Sequence, residues 1–296
     1  MDLLSIESLN DGQIETILDR ADFWFEQNRA GRSSELLKGK LVFNLFYEVS
    51  TRTAMSFAAA SHRLGAAVVA LPVEQSSVRK GETFEDTAQT LNAMRPDALV
   101  IRHRENGAPT AAALIMDCPV INAGDGTNEH PTQALLDAAT ARRHFGRTAG
   151  LKVAICGDIR HSRVARSNAL LLPRLGAEVR LAGPPGLLPD DSPKLSVDEA
   201  IRGADVVMML RVQRERLEED LNDAPGEYLG LYGLTAERFA TAAPNAVVMH
   251  PGPMNREVEI ASVVADDPQR SLIALQVETG VAVRMACLEM LVGGPA

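Results

Sequence analysis

The sequence predicts an α/β fold of two domains, each a parallel sheet flanked by helices, the two joined by helices. Three observations carry this prediction. Short, nearly all-apolar runs recur along the chain, helix-like stretches separate them, and 296 residues are comfortable for two cores rather than one. An apolar run with no polar alternation is what a parallel strand shows when helices cover both of its faces.

In chain order, Ile14, Ile17, Leu18, Ala21 and Phe25 follow helical spacing and predict an amphipathic first helix. Strands are predicted over 41–47, 66–71, 98–101 and 119–122, and a second series over 151–156, 177–182, 206–210 and 246–250. Residues 132–144 are good helix formers and predict a connection between domains, and 281–292 again reads as a helix. The first domain is expected over 1–134 with 281–296, and the second over 135–280. Residues 183–193, rich in Pro, Gly and Asp, predict an exposed loop.

Acidic residues outnumber basic ones by 39 to 30, a formal charge of -9, which argues against a nucleic-acid or membrane-surface partner. Anionic small molecules stay open, since a site needs only a local cluster of Arg and Lys. No apolar stretch approaches the ~18 residues of a membrane helix, and the first residues lack the pattern of a secretion signal, so the cytoplasm is the expected compartment. Cys118, Cys156 and Cys287 are far apart and form no CxxC pair, which predicts neither a disulfide framework nor a structural zinc. Cys156 sits in an apolar run and reads as a small buried hydrophobe.

Ser50-Thr51-Arg52-Thr53 follows the first strand and opens a helix. A helix start offers unpaired backbone N–H groups and partial positive charge, which suit a phosphate. One Ser or Thr there is ordinarily an N-cap. Three hydroxyls around an Arg bring the phosphate and capping readings nearer to even. Arg102 ends the third strand, and strand carboxyl ends are where open α/β sheets hold ligands, although an Arg there, taken alone, is more often simply solvated. His130-Pro131-Thr132-Gln133 follows a Gly-rich turn: the His suits a carbonyl, the Gln an amide, and Pro131 the first turn of a helix, though a His beside a Pro is, taken alone, more often structural. Ser76 and Lys80 lie in a Ser-rich stretch that suits either an anion-closing loop or plain surface.

In the second domain, Arg163 and Arg211-Val212-Gln213 each follow a strand, where two guanidinium groups suit two carboxylates. His250-Pro251-Gly252-Pro253 forces a tight turn, compatible with a cis bond before Pro253, that can aim carbonyl oxygens at an NH2 group. There is no GxGxxG, Walker loop or HExxH.

Together these residues resemble the aspartate/ornithine carbamoyltransferase family. The STRT run after FYEV, KGET at Lys80, Arg102-His103 and HPTQ at His130 are similar to the family's shared motifs. RVQRER at Arg211 and HPGPMNR at His250 are similar to its aspartate-specific branch. The motifs fall in the family's order, and with the flanking helices the resemblance covers nearly the whole chain.

The resemblance implies transfer of the carbamoyl group of carbamoyl phosphate to the amino group of L-aspartate, with no metal or cofactor. It implies that Ser50, Thr51, Arg52, Thr53 and Arg102 hold the phosphate, and that Thr53, Arg102 and His130 face the carbonyl oxygen. Gln133 and the carbonyls of Pro251 and Gly252 would take the carbamoyl NH2. Arg163, Arg211 and Gln213, beside Lys80, Gly252 and Pro253, would hold aspartate. Ser76 and Lys80 would reach a neighbouring subunit's site, which implies a homotrimer. A zinc-bearing regulatory subunit, a dihydroorotase-like partner or a free trimer are all compatible with the resemblance.

Two departures stand out: Ala54 where many members carry Arg, and Gly252 where some aspartate enzymes carry Leu. The nearest rival is ornithine transfer, whose branch has HCLP at the position of His250 and needs an acid for the ornithine side chain. A non-catalytic relative would have lost some of Arg52, Lys80, Arg102, His130 or Arg211, and none is missing. A nicotinamide-dependent dehydrogenase is disfavoured by the absent glycine fingerprint.

Overall fold

The computed structural model describes residues 1–72, 81–190, 195–212 and 225–293. The chain divides into two compact units: Met1–Ala139 with Val277–Ala296, and Thr140–Gln276.

Unit 1 is built on β1 (Leu41–Phe46), β2 (Ala67–Pro72), β3 (Ala98–His103) and β4 (Val120–Asp125), all parallel, in the order β2-β1-β3-β4. Both faces are covered, as the unbroken apolar runs require: β4 is buried along its whole length. Helices α1 (Asp11–Arg29), α2 (Thr51–Arg63), α3 (Phe84–Ala93) and α4 (Ala108–Ala113) accompany the sheet. An Asn10–Gln13 capping box starts α1, and its buried face is Ile14, Ile17, Leu18, Ala21, Trp24 and Phe25. The edge of β4 is closed by Leu3, whose N–H donates to the Val120 carbonyl at 2.9 Å.

Unit 2 repeats the plan. Strands β5 (Lys152–Cys156), β6 (Glu178–Ala182), β7 (Val206–Met209) and β8 (Val247–Met249) are parallel in the order β6-β5-β7-β8. With them go α6 (Arg163–Arg174), α7 (Val197–Ile201), α8 (Pro225–Leu231), α9 (Ala236–Phe239) and α10 (Ser262–Ala265). Ser271 pairs beside β8 and closes that edge. The ends of β5 and β6 approach closely at two glycines. A Cβ on Gly183 would meet the Gly157 carbonyl oxygen at 2.1 Å, and Gly157 itself has φ +132.

The chain leaves unit 1 within α5 (Pro131–Phe145) and returns within α11 (Ile273–Val292). Residues 282–288 of α11 are all buried, Arg284 among them, so this stretch is covered on every side rather than amphipathic. Its ties to α1 are polar: Glu289 accepts from the Trp24 indole at 2.7 Å and from Arg20 at 2.8 Å.

The exposed loop expected over 183–193 is corrected in part over 183–190, with 191–193 outside the described residues. Leu187 and Leu188 are buried, and Pro185–Leu187 forms a 3-10 turn. Leu187 packs with Val212, Tyr228 and Val258, and Arg160 donates to the Leu188 carbonyl at 2.8 Å. The two leucines supply an apolar anchor that the Pro and Gly content hides.

Candidate active site

In both sheets the strand order reverses beside the first strand. In unit 1, β2 lies on one side of β1 and β3 on the other; in unit 2, β6 and β7 flank β5 in the same way. At such a switch point the two loops leaving the strands diverge and open a crevice at their carboxyl ends. Every described candidate at a strand end belongs to one of these two places or to the loop after the neighbouring strand.

In unit 1, register brings the STRT turn beside Arg102. Phe46 pairs with Arg102, and the Tyr47 N–H donates to the Arg102 carbonyl at 2.9 Å. Ser50 occupies the N-cap position of α2 without making a side-chain cap bond. Its hydroxyl is thus not spent on the helix, and the first-turn N–H groups keep their capacity for an anion. Thr51 and Arg52 are exposed, while Thr53 is buried at 5% exposure.

The Arg102 side chain is 12% exposed, and its guanidinium donates to Glu48 at 3.0 Å. Its neighbour His103 packs against the rings of Tyr47 and Phe84, and burial holds its pKa below the ordinary value; it is part of an aromatic cluster.

His130 is buried directly before α5, where its carbonyl accepts from the Gln133 N–H at 2.9 Å. Gln133, in the first turn, donates from Nε2 to Asp137 Oδ1 at 2.9 Å. Beneath α2 lies Arg284 of α11, 3% exposed, which donates to Ser56 Oγ at 2.8 Å. Burial pulls its pKa down to about 10.

In unit 2, Arg163 is the first residue of α6, half-buried, behind an N-cap in which Ser162 accepts from the Ala165 N–H at 3.1 Å. Arg211 is exposed just past β7. The adjoining Val212 carbonyl accepts from Asn255 Nδ2 at 2.8 Å, which fastens the turn after β8 to the Arg211 segment.

That turn has a cis peptide between Gly252 and Pro253. The Gly252 N–H donates to His250 Nδ1 at 2.8 Å, so the imidazole proton sits on Nε2, which faces Glu259 Oε1 at 3.2 Å. The same carboxylate oxygen accepts from the Asn255 N–H at 2.5 Å. Both side chains of the His250–Glu259 pair are fully buried, and Gln276 accepts from the His250 N–H. The backbone of 250–255 is therefore held from beneath.

Ser76, Lys80 and Gln213 lie outside the described residues. Glu48, Asp137, Arg284 and Glu259 were not singled out from the sequence. Two carried a signal. Asp137 stands four residues after Gln133 on one helix face, and Arg284 is a charge flanked by the apolar residues Val283 and Met285 in a largely apolar helix. Among the described residues, no group of His, Cys, Asp and Glu is arranged to hold a metal, and no helix is long and apolar enough to cross a membrane.

Two parallel α/β units, each with arginines at its switch point, define a two-domain enzyme for anionic substrates. The family model for the aspartate/ornithine carbamoyltransferase carbamoyl-P binding domain matches residues 1–143. That for the Asp/Orn binding domain matches 149–291. The chain belongs to the aspartate/ornithine carbamoyltransferase family.

It is 56% identical over 296 residues to an aspartate carbamoyltransferase catalytic subunit of Granulibacter bethesdensis, covering 98% of this chain and 94% of the relative. It is 54% identical over 301 residues to that of Rhodospirillum rubrum, covering 99% and 94%. Among solved structures, Trypanosoma cruzi aspartate transcarbamoylase in complex with N-(phosphonacetyl)-L-aspartic acid matches with a TM-score of 0.87 at 32% identity, over 97% of this chain and 94% of that one. Ornithine carbamoyltransferase from Pyrococcus furiosus matches with a TM-score of 0.89 at 28% identity, over 100% and 98%.

Proposed function

We propose that the chain transfers the carbamoyl group of carbamoyl phosphate to the amino group of L-aspartate, giving N-carbamoyl-L-aspartate and phosphate. Unit 1 binds the donor and unit 2 the acceptor. The observation that carries the acceptor choice is Arg211, exposed at the end of β7 beside the fastened 250–255 turn. A cation there suits the second carboxylate of aspartate and repels the ammonium of ornithine. The relatives at 54–56% identity bear the aspartate name, which supports the same choice.

In this reading Ser50, Thr51, Arg52, Thr53 and Arg102 hold the phosphate, and Thr53, Arg102 and His130 donate to the carbamoyl oxygen. Gln133 and the Pro251 and Gly252 carbonyls accept from the carbamoyl NH2. Arg163, Arg211 and Gln213 hold the aspartate carboxylates, beside Gly252 and Pro253, and Ser76 and Lys80 serve a neighbouring subunit of a homotrimer.

The neutral amine of aspartate attacks the carbonyl carbon and a C–N bond forms. The oxyanion of the tetrahedral intermediate collapses, the C–O bond to phosphate breaks, and the amine loses a proton. The leaving group is already good. The protein's contribution is to orient two anions that repel each other and to stabilise charge on the carbonyl oxygen. Glu48 keeps Arg102 paired until a phosphate competes for it. The pathway is pyrimidine biosynthesis and the compartment the cytoplasm.

The test is carbamoylation of aspartate and of ornithine by the purified chain, with its mass in solution measured alongside. Aspartate turnover by a trimer is expected. Ornithine turnover without aspartate turnover would overturn the acceptor, and full activity in a monomer would remove the shared-site role of Ser76 and Lys80.

A further inference from the structure

Gln133 has an amide with two unlike ends, an acceptor oxygen and a donor NH2, and rotation of its last torsion exchanges them at little cost. The carbamoyl group has the same ambiguity, with a carbonyl that accepts and an NH2 that only donates. A site that tells those ends apart needs its own amide fixed one way round.

The structure contains such a fixing element. Gln133 Nε2 donates to Asp137 Oδ1 at 2.9 Å, one helical turn along α5, with the two residues 7% and 1% exposed. An ionised carboxylate only accepts, so it takes the NH2 end and leaves Oε1 turned away from Asp137. The buried Arg284 guanidinium lies within electrostatic reach of Asp137. Arg284 is itself held in place by Ser56 of α2 and the Gly280 carbonyl, at 2.8 and 3.3 Å.

We propose that Asp137 is a positioning residue: it fixes the Gln133 amide with its oxygen presented to substrate, so that the site selects a carbamoyl NH2 over a methyl or a hydrogen-bond acceptor in the same place. This rests on the carbamoyl-phosphate reading of unit 1.

The experiment compares three ligands by calorimetry: carbamoyl phosphate, acetyl phosphate (a methyl in place of the NH2) and inorganic phosphate. Asp137→Asn is nearly isosteric but lets the Gln133 amide face either way. It is expected to weaken carbamoyl phosphate about tenfold, the size of one charge-assisted hydrogen bond, and to leave the other two within about twofold. In a Gln133→Ala background the same substitution should have no further effect.

Equal weakening of all three ligands would overturn the proposal, because a merely structural residue does not distinguish NH2 from CH3. An additive loss in the double variant would overturn it too. Should Asp137→Asn not fold, a crystal structure of the unaltered chain with carbamoyl phosphate decides. Gln133 must touch Asp137 and the carbamoyl nitrogen together; a Gln133 turned off Asp137 refutes the role. Failure of the unaltered chain to bind carbamoyl phosphate while it binds phosphate would instead refute the underlying reading, and the role with it.

Discussion

The two units share one plan and use it differently. Each has four parallel strands in the same order, an edge strand closed by a distant segment, and arginines beside the first strand. In unit 1, Arg52 is exposed, but three further charged side chains are sunk into the fold: Arg102 is tied to Glu48, and Arg284 and Asp137 lie almost wholly buried. In unit 2 the buried polar network holds backbone instead. His250, Glu259 and Asn255 fix the 250–255 turn, while Arg211 stands exposed. The difference matches two tasks. Stabilising charge that develops on a reacting oxygen requires donors that need not reorganise. Gripping a carboxylate on an incoming substrate needs a long cation on a fixed base.

The sharpest way to break this contrast is to delete one arginine from each unit. Arg52→Ala should cost about 3–4 kcal/mol of transition-state stabilisation, by analogy with lost oxyanion donors, read as a fall of about two to three decades in kcat/KM. Near-normal turnover would remove the phosphate role of the STRT turn. Arg211→Ala should cost about 2 kcal/mol, the worth of a charged hydrogen bond, and appear mainly as a raised KM for aspartate. A change in carbamoyl phosphate binding of equal size would contradict the division of labour between the units.

The smallest effect tests the inside of unit 2. Burial pushes the Cys156 thiol up to about 12 and raises the Tyr228 phenol as well. For an acid whose folded pKa is raised, the folded chain holds its proton where the unfolded chain has lost it. The stability this contributes is therefore complete below the ordinary thiol pKa of 9.0 and is lost as the pH rises from there towards about 12. Each group adds at most about 1.4 kcal/mol per pH unit. Urea unfolding between neutral and strongly alkaline pH should show the decline, and Cys156→Ala with Tyr228→Phe should lessen it, leaving the share of Cys118 and Cys287, which burial raises likewise. Tyr228 Oη is buried and makes no hydrogen bond among the described residues, so Tyr228→Phe itself should be close to neutral at pH 7. An unchanged alkaline slope in the double variant would show that neither group titrates on unfolding.

Most of the fold was legible because parallel strands buried on both faces announce themselves as apolar runs. Residues 98–101 and 206–210 need no tertiary information to be read. The loop after β6 was not legible, since its Pro and Gly content speaks of solvent while Leu187 finds a pocket lined by Val212, Tyr228 and Val258. That pocket exists only after folding.

The candidate site divides in the same way. Residues expected to touch substrate fall in short motifs at strand ends, where spacing and chemistry coincide. Glu48, Asp137, Arg284 and Glu259 act on other residues, and the sequence shows each as one charged letter. Only contact reveals which of them has a partner worth holding.

The division of unit 1 into two chain segments also sets a timetable for synthesis. Unit 2 is one uninterrupted stretch, Thr140–Gln276, whereas unit 1 lacks Val277–Ala296 until after unit 2 has been made. Those residues include the fully buried run 282–288 and Glu289, which clasps Arg20 and Trp24 of α1. Unit 1 thus begins before unit 2 and is completed after it. A nascent chain halted before α11 presents the seat of that helix to chaperones and proteases while unit 2 is already whole.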